Sequence, residues 1–159
     1  MGDLETKRPL KPNGMPEVRI DKAGRLTMPA EFRRYLESQD ANQLFVTTLD
    51  RKHVHIFPGV VWRERQEKLH QDPELSAVVR RFLFTVQYFG ADITMDEQGR
   101  VVLPARLREL LKLENTSVVL WAVSDRIEVL QVAEAAAMNA AAMESTDSDL
   151  DVLANRGLM

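Results

Sequence analysis

The chain has 159 residues, 45% apolar and 28% charged, with a net charge of −3, the balance expected of one soluble globular domain or two very small ones sharing a core. No uncharged apolar run nears the roughly 18 residues of a membrane span, and the start, Met1-Gly2-Asp3-Leu4-Glu5, lacks the basic-then-apolar order of a secretory signal. The absence of cysteine excludes disulfides, thiolate metal sites and thiol nucleophiles, and a reducing cytoplasm is the expected location.

Residues 1–15 carry Pro9, Pro12, Gly14 and scattered charge and read as a flexible leader. The charge is segregated along the chain. Residues 1–36 hold eight Lys/Arg against five Asp/Glu, whereas residues 134–159 hold five acids against Arg156 alone. A basic end can therefore meet phosphate whatever the total.

Residues 16–59 read as the first of two copies of one unit. Residues 20–36, IDKAGRLTMPAEFRRYL, return 75 positions later as MDEQGRVVLPARLRELL. Asp21, Gly24, Arg25, Pro29, Ala30 and Arg33 recur as Asp96, Gly99, Arg100, Pro104, Ala105 and Arg108, and positions 26, 28, 32 and 36 stay apolar. A short strand at 17–20 is followed by a turn at Asp21-Lys22-Ala23-Gly24-Arg25, where glycine can take the positive φ that a hairpin connection commonly needs. Leu26 and Met28 share one face of the return strand. Pro29 ends it and suits the first turn of a helix, on which Phe32 and Leu36 lie four apart on one face. Two more strands follow at 44–49 and 53–57, giving a ββαββ order.

Residues 60–89 read as a helical connector. Asp72-Pro73 breaks it, with Asp72 as an N-cap. Apolar positions 75, 78, 79, 82, 83 and 86 form a stripe near the helical period. With Phe82, Phe84, Tyr88 and Phe89 nearby, this aromatic segment is expected to supply core shared between the copies. Residues 90–132 are the second copy, with strands at 93–95, 100–103, 118–123 and 126–131 around a helix carrying Leu107 and Leu111. The alanine-rich stretch after 133 and the acidic end to 159 read as a frayed helix leading into disorder. One copy buries too little apolar area to be stable alone, so the expected fold is α+β, two ββαββ units forming one pseudo-symmetric barrel with helices between them.

In the Asp-x-x-Gly-Arg turn the acid can brace the guanidinium four residues on, leaving its remaining donors pointing outward. An arginine held this way loses less entropy on meeting a phosphate or the O6/N7 edge of guanine. An exposed turn-stabilising ion pair, worth about 0–1 kcal/mol, is the better explanation of one such motif. Two in equivalent places, the first beside Arg19, Lys22, Arg33 and Arg34, put the two readings on an even footing. His53 and His55 share a strand face, but two ligands do not make a metal site, and no Gly-rich phosphate loop or serine-nucleophile motif occurs. Neither an enzyme nor a cofactor is expected.

The two motifs, each followed by a strand, a proline and an arginine-containing helix, resemble the SpoVT–AbrB swapped-hairpin family. Two of them in one chain, joined by FPGVVWRERQEKL (57–69) and RRFLFTVQYFGADITMDEQGR (80–100), resemble the MraZ family over residues 17–131. That resemblance implies a tandem swapped-hairpin barrel, a closed homo-oligomeric ring, and sequence-specific binding to repeated boxes in double-stranded DNA upstream of the family's division and cell-wall genes. A nucleoid-associated regulator with no membrane partner is the expectation. The resemblance points to Arg25 as the DNA contact, with Lys22, Arg19 and Arg33 as helpers, Arg100 as its weaker counterpart, and Asp21, Gly24, Asp96 and Gly99 orienting the loops. The family often carries Lys directly before the motif glycine, where Ala23 and Gln98 stand here, and an aromatic and a glycine before the first strand, where Gly14-Met15-Pro16 stand. An AbrB-like antitoxin and a barrel-type interaction or ligand-binding module are the rival classes.

Overall fold

In the computed structural model, which describes residues 10–40 and 43–159, each repeat is built largely on the other. The first contributes β1 (Glu17–Ile20), β2 (Arg25–Thr27), α1 (Ala30–Asp40), β3 (Gln43–Thr47) and β4 (Val54–Pro58). The connector is α2 (Gly59–Leu69), a single 3-10 turn (Pro73–Leu75) and α3 (Ser76–Phe89). The second repeat follows with β5 (Ala91–Thr94), β6 (Arg100–Val102), α4 (Ala105–Leu111), β7 (Thr116–Val123) and β8 (Arg126–Gln131), and the chain closes with α5 (Val132–Met143) and α6 (Thr146–Asn155).

The turn at Asp21–Arg25 does not close a hydrogen-bonded ladder between β1 and β2. The six-stranded antiparallel sheet runs β1-β7-β8-β4-β3-β5, and β2 pairs with β6 in a separate ribbon. Exchanging the repeats leaves both orders unchanged, as a pseudo-two-fold barrel requires. Within the sheet Glu17 faces Val119, Ile20 faces Thr116 and Leu44 faces Ile93. In the ribbon Leu26 faces Val101. Each first strand thus lies against the other repeat's third strand, the exchange that a swapped-hairpin barrel implies. A three-residue strand between Gly24 and a proline-led helix offers too few ladder bonds to hold its own neighbour.

Burial explains why the exchange is stable. One continuous core joins Ile20, Leu26, Phe32 and Leu36 of the first repeat to Val101, Leu103, Leu107 and Ile127 of the second, none more than 2% exposed. At about 1.5–3 kcal/mol for each buried large aliphatic or aromatic side chain, neither half could expose its share and remain folded.

The connector forms as its sequence suggests. The Asp72 carboxylate accepts from the Glu74 amide at 3.0 Å, capping the turn led by Pro73. Its role differs from the expected shared core. Val86 joins Phe45, Phe57 and Trp62 in a second, smaller cluster on the first repeat's sheet, with the Trp62 ring stacked 4.7 Å from Phe45. Phe84 is left 74% exposed, and Leu75, Val78 and Tyr88 are also exposed.

The C-terminal segment differs in part: the alanine-rich stretch forms the expected helix, α5, but the acidic end forms a second helix, α6, where disorder was expected. Neither helix buries a residue, and α5 frames a shallow apolar groove with Met15, Trp121 and Leu130. The leader expectation falls largely on residues 1–9, outside the described residues; residues 10–15 lie in neither helix nor strand.

Candidate nucleic-acid interface

The two Asp-x-x-Gly-Arg loops have the same internal geometry. In the first, one Asp21 carboxylate oxygen accepts from the amides of Ala23 and Arg25, each at 2.9 Å. The other accepts from Arg25 Nε at 2.9 Å. In the second, Asp96 accepts from the Gln98 and Arg100 amides at 2.9 Å and from Arg100 Nε at 2.7 Å. The amide of the arginine four residues on is the main reason both carboxyls sit below their usual range, with the guanidinium adding to it. Gly24 and Gly99 both stand at φ +78°, where a side chain would be strained.

Only Nε of each arginine is engaged. Among the described residues the terminal nitrogens of Arg25 and Arg100 have no protein partner, and the side chains are 45% and 37% exposed. Each loop therefore holds a braced guanidinium with its outer donors available. Because Arg25 faces Val102 and Arg100 faces Thr27, the loops lie at opposite ends of the β2–β6 ribbon.

Their surroundings differ. Exposed Lys22 sits beside the first arginine where the second has Glu97, and the strand before it carries Arg19 where the second has Thr94. Arg19 spans to β7, donating to the Asn115 side chain at 2.7 Å and its carbonyl at 3.1 Å. Arg34 is paired with Glu31 on its own helix.

Arg33 is placed differently from the expected DNA helper. Its Nε meets Glu37 at 2.7 Å and its terminal nitrogen donates to the Glu97 carbonyl of the opposite loop at 2.7 Å. Its counterpart Arg108, which sequence reasoning did not nominate, donates to the Ala23 carbonyl at 2.9 Å and lies over Gly24. The signal was present: Arg33 and Arg108 occupy the same place in the repeat.

Neither His53 nor His55 lies at the surface. His55 is buried and its Nδ1 accepts from the Leu49 amide at 3.0 Å. His53 lies between Asp50 (2.7 Å) and Glu134 (2.8 Å), one carboxylate on each ring nitrogen. A carboxylate on each ring nitrogen favours the imidazolium, in which both nitrogens donate. Burial opposes that charge, but the two carboxylates outweigh it and raise the His53 pKa. Burial would likewise raise Asp50, yet the Lys52 and His53 amides and the His53 ring hold it at about 2. No group of three or more His, Asp or Glu among the described residues is arranged to hold a metal ion, and no helix among them is long and apolar enough to cross a membrane.

The family model of the MraZ protein, described as antitoxin-like, matches residues 13–85 and again 90–150. A protein of Acidobacterium capsulatum named transcriptional regulator MraZ is 36% identical over 89% of this chain and 95% of its own length. Proteins of the same name from Desulfitobacterium hafniense and Chromobacterium violaceum are 34% and 32% identical, over 87% and 86% of this chain and 94% and 92% of theirs. These relatives are named as regulators and not as enzymes.

Proposed function

This chain belongs to the MraZ family, and from that premise we propose that it is a sequence-specific DNA-binding transcriptional regulator. It acts from the nucleoid on the division and cell-wall gene cluster, through repeated boxes upstream of those genes. One observation carries the reading: each chain exposes two arginines braced by a carboxylate at a glycine bend, the first beside Arg19 and Lys22. A braced planar fork suits the O6/N7 edge of guanine, and the flanking cations suit phosphate.

Arg25 reads the box, Lys22 and Arg19 add phosphate attraction, and Arg100 contributes less because Glu97 stands beside it. One loop per chain makes few contacts, so affinity comes from several chains in a homo-oligomeric ring, where each further loop binds at high effective concentration. The exposed face of α3, with Val78, Phe84 and Tyr88, is apolar surface of the kind that subunit contacts cover. Boxes about one helical turn apart then face the same side of the duplex.

The test is binding to the DNA upstream of this chain's own gene, with wild type, Arg25→Ala and Arg100→Ala compared across salt concentrations. Arg25→Ala should weaken binding about 10- to 100-fold, the scale of one bidentate base contact, and Arg100→Ala by less. Wild-type affinity should fall steeply with salt. Unchanged binding by Arg25→Ala would refute the assignment.

A further inference from the structure

We propose that Arg108 is a positioning residue for the first DNA-reading loop, and Arg33 for the second, so that each reading arginine is aimed by the opposite half of the chain. The inference rests on the DNA-contacting role of Arg25 proposed above and adds residues that touch no DNA.

The first loop is closed by its own Asp21 and anchored by three further bonds from outside its own repeat. Its Ala23 carbonyl accepts from Arg108 at 2.9 Å. Its Gly24 carbonyl accepts from the Leu103 amide at 2.9 Å, and its Asp21 carbonyl from the Asn115 amide at 3.1 Å. All three donors belong to the second repeat. The Arg108 side chain lies across Gly24 so closely that a Cβ there would stand 2.2 Å from its Cδ and 2.6 Å from its Nε. Glycine is therefore needed twice, for the positive φ and for the guanidinium resting on it. The Arg108 side chain is only 19% exposed, with Glu114 3.4 Å from the same nitrogen that serves Ala23, and its Nε is buried without a hydrogen-bond partner. Such a group can do little outside the protein but can fix the peptide beside Arg25.

The second loop is held in the mirrored way. Arg33 donates to the Glu97 carbonyl, one position earlier in the loop than the Ala23 contact, and the Met28 amide donates to the Gly99 carbonyl at 2.8 Å. A Cβ on Gly99 would stand 3.1 Å from Arg33 Cδ, so the side chain rests less tightly there. The closer side-chain packing on the glycine belongs to the loop with the cationic surroundings. Fixing a loop before it binds removes ordering entropy from the association, and a guanidinium on a carbonyl is among the stronger hydrogen bonds available for the purpose.

The decisive variants are Arg108→Met, which keeps an aliphatic stem over Gly24 and removes the donors, and Arg108→Lys, which keeps charge and one donor. Each is measured in the full chain for DNA affinity, salt dependence and amide exchange in both loops. Arg108→Met should bind DNA about tenfold more weakly, the scale of one charge-assisted hydrogen bond, with partial recovery in Arg108→Lys. The slope of log affinity against log salt should stay at the wild-type value, whereas Lys22→Ala, which removes a phosphate contact, lowers it by about one. Exchange should quicken at 22–25 and not at 97–100, and Arg33→Met should give the reverse pattern with a smaller affinity loss. A reduced salt slope in Arg108→Met, making it a phosphate contact, would overturn the proposal, as would unchanged exchange at 22–25. If Arg108→Met does not fold, the same two readouts on Arg108→Lys and Arg33→Met decide. Crosswise loosening of the loops with an inert Arg25→Ala would leave the clamp standing and remove the DNA-contacting role.

Discussion

The two halves of the chain agree where they grip each other and differ where they face solvent. Both loops have a carboxylate on two amides and one Nε, and both glycines stand at φ +78°. The turns after β3 and β7 show the same crossing. Asp50, in the first repeat, reaches α5 through His53 and Glu134, while Asp125, in the second, pairs with Arg65 on α2. Each repeat's turn therefore holds the helix that follows the other repeat. The exposed charges are not shared in this way: Lys22 and Arg19 of one half correspond to Glu97 and Thr94 of the other, although Arg19 reaches across to Asn115. Backbone geometry is shared because each half is the other's binding partner. Surface charge has diverged because an exposed charge contributes little to stability.

The largest effect should come from the tighter glycine. Gly24→Ala combines left-handed strain with displacement of Arg108, whose flexible end must leave the Ala23 carbonyl. It should lower the unfolding free energy by about 2 kcal/mol, against about 1 kcal/mol for Gly99→Ala, where strain is nearly the whole cost. Denaturant titration of the two variants checks this, and equal losses would mean the loops are clamped alike.

A smaller effect tests the charge difference. Glu97→Lys gives the second loop the first loop's cation, and should raise DNA affinity severalfold at low salt and steepen the salt slope by about one contact. Fluorescence anisotropy on the same operator at three salt concentrations measures both. No change would show that the second loop does not approach DNA.

The smallest effect separates the two turn clasps by pH. The His53 pKa is raised in the fold, so its stabilisation is complete below the ordinary value near 6.5 and is lost as pH rises through the raised value. Burial opposes the charge of Asp125, but Arg65 outweighs it and depresses its pKa, so that clasp weakens only as pH falls below the usual carboxylate value near 3.8. Between pH 6 and 9, amide exchange corrected for its intrinsic base catalysis should quicken in the first turn of α5 and hold steady in α2. His53→Gln should remove the pH dependence in α5. Parallel changes in both helices would show that the histidine is not the cause.

The duplication, the braced arginines, the order of elements and the Asp72 break were legible in the residues, because each depends on spacing within one segment. Leu26 and Met28 alternate, Phe32 and Leu36 lie four apart, and Asp21 reaches Arg25 through five consecutive residues. What the pattern could not carry was partnership. Residues 17–28 are compatible with a closed hairpin, and only the competition for one core decided that β1 goes to β7 and β2 to β6. The aromatic segment of α3 looked like shared core, yet Phe89 packs against that core while Phe84 and Tyr88 remain outside. Arg33 stood out as a cation near its own loop; that it also donates to the carbonyl of the opposite loop was not visible in the spacing. The same holds for His53, whose two carboxylates lie three and 81 positions away in the chain. Local chemistry is written in adjacent residues, but which half answers which is settled by burial, because only crossing the halves covers both apolar faces at once.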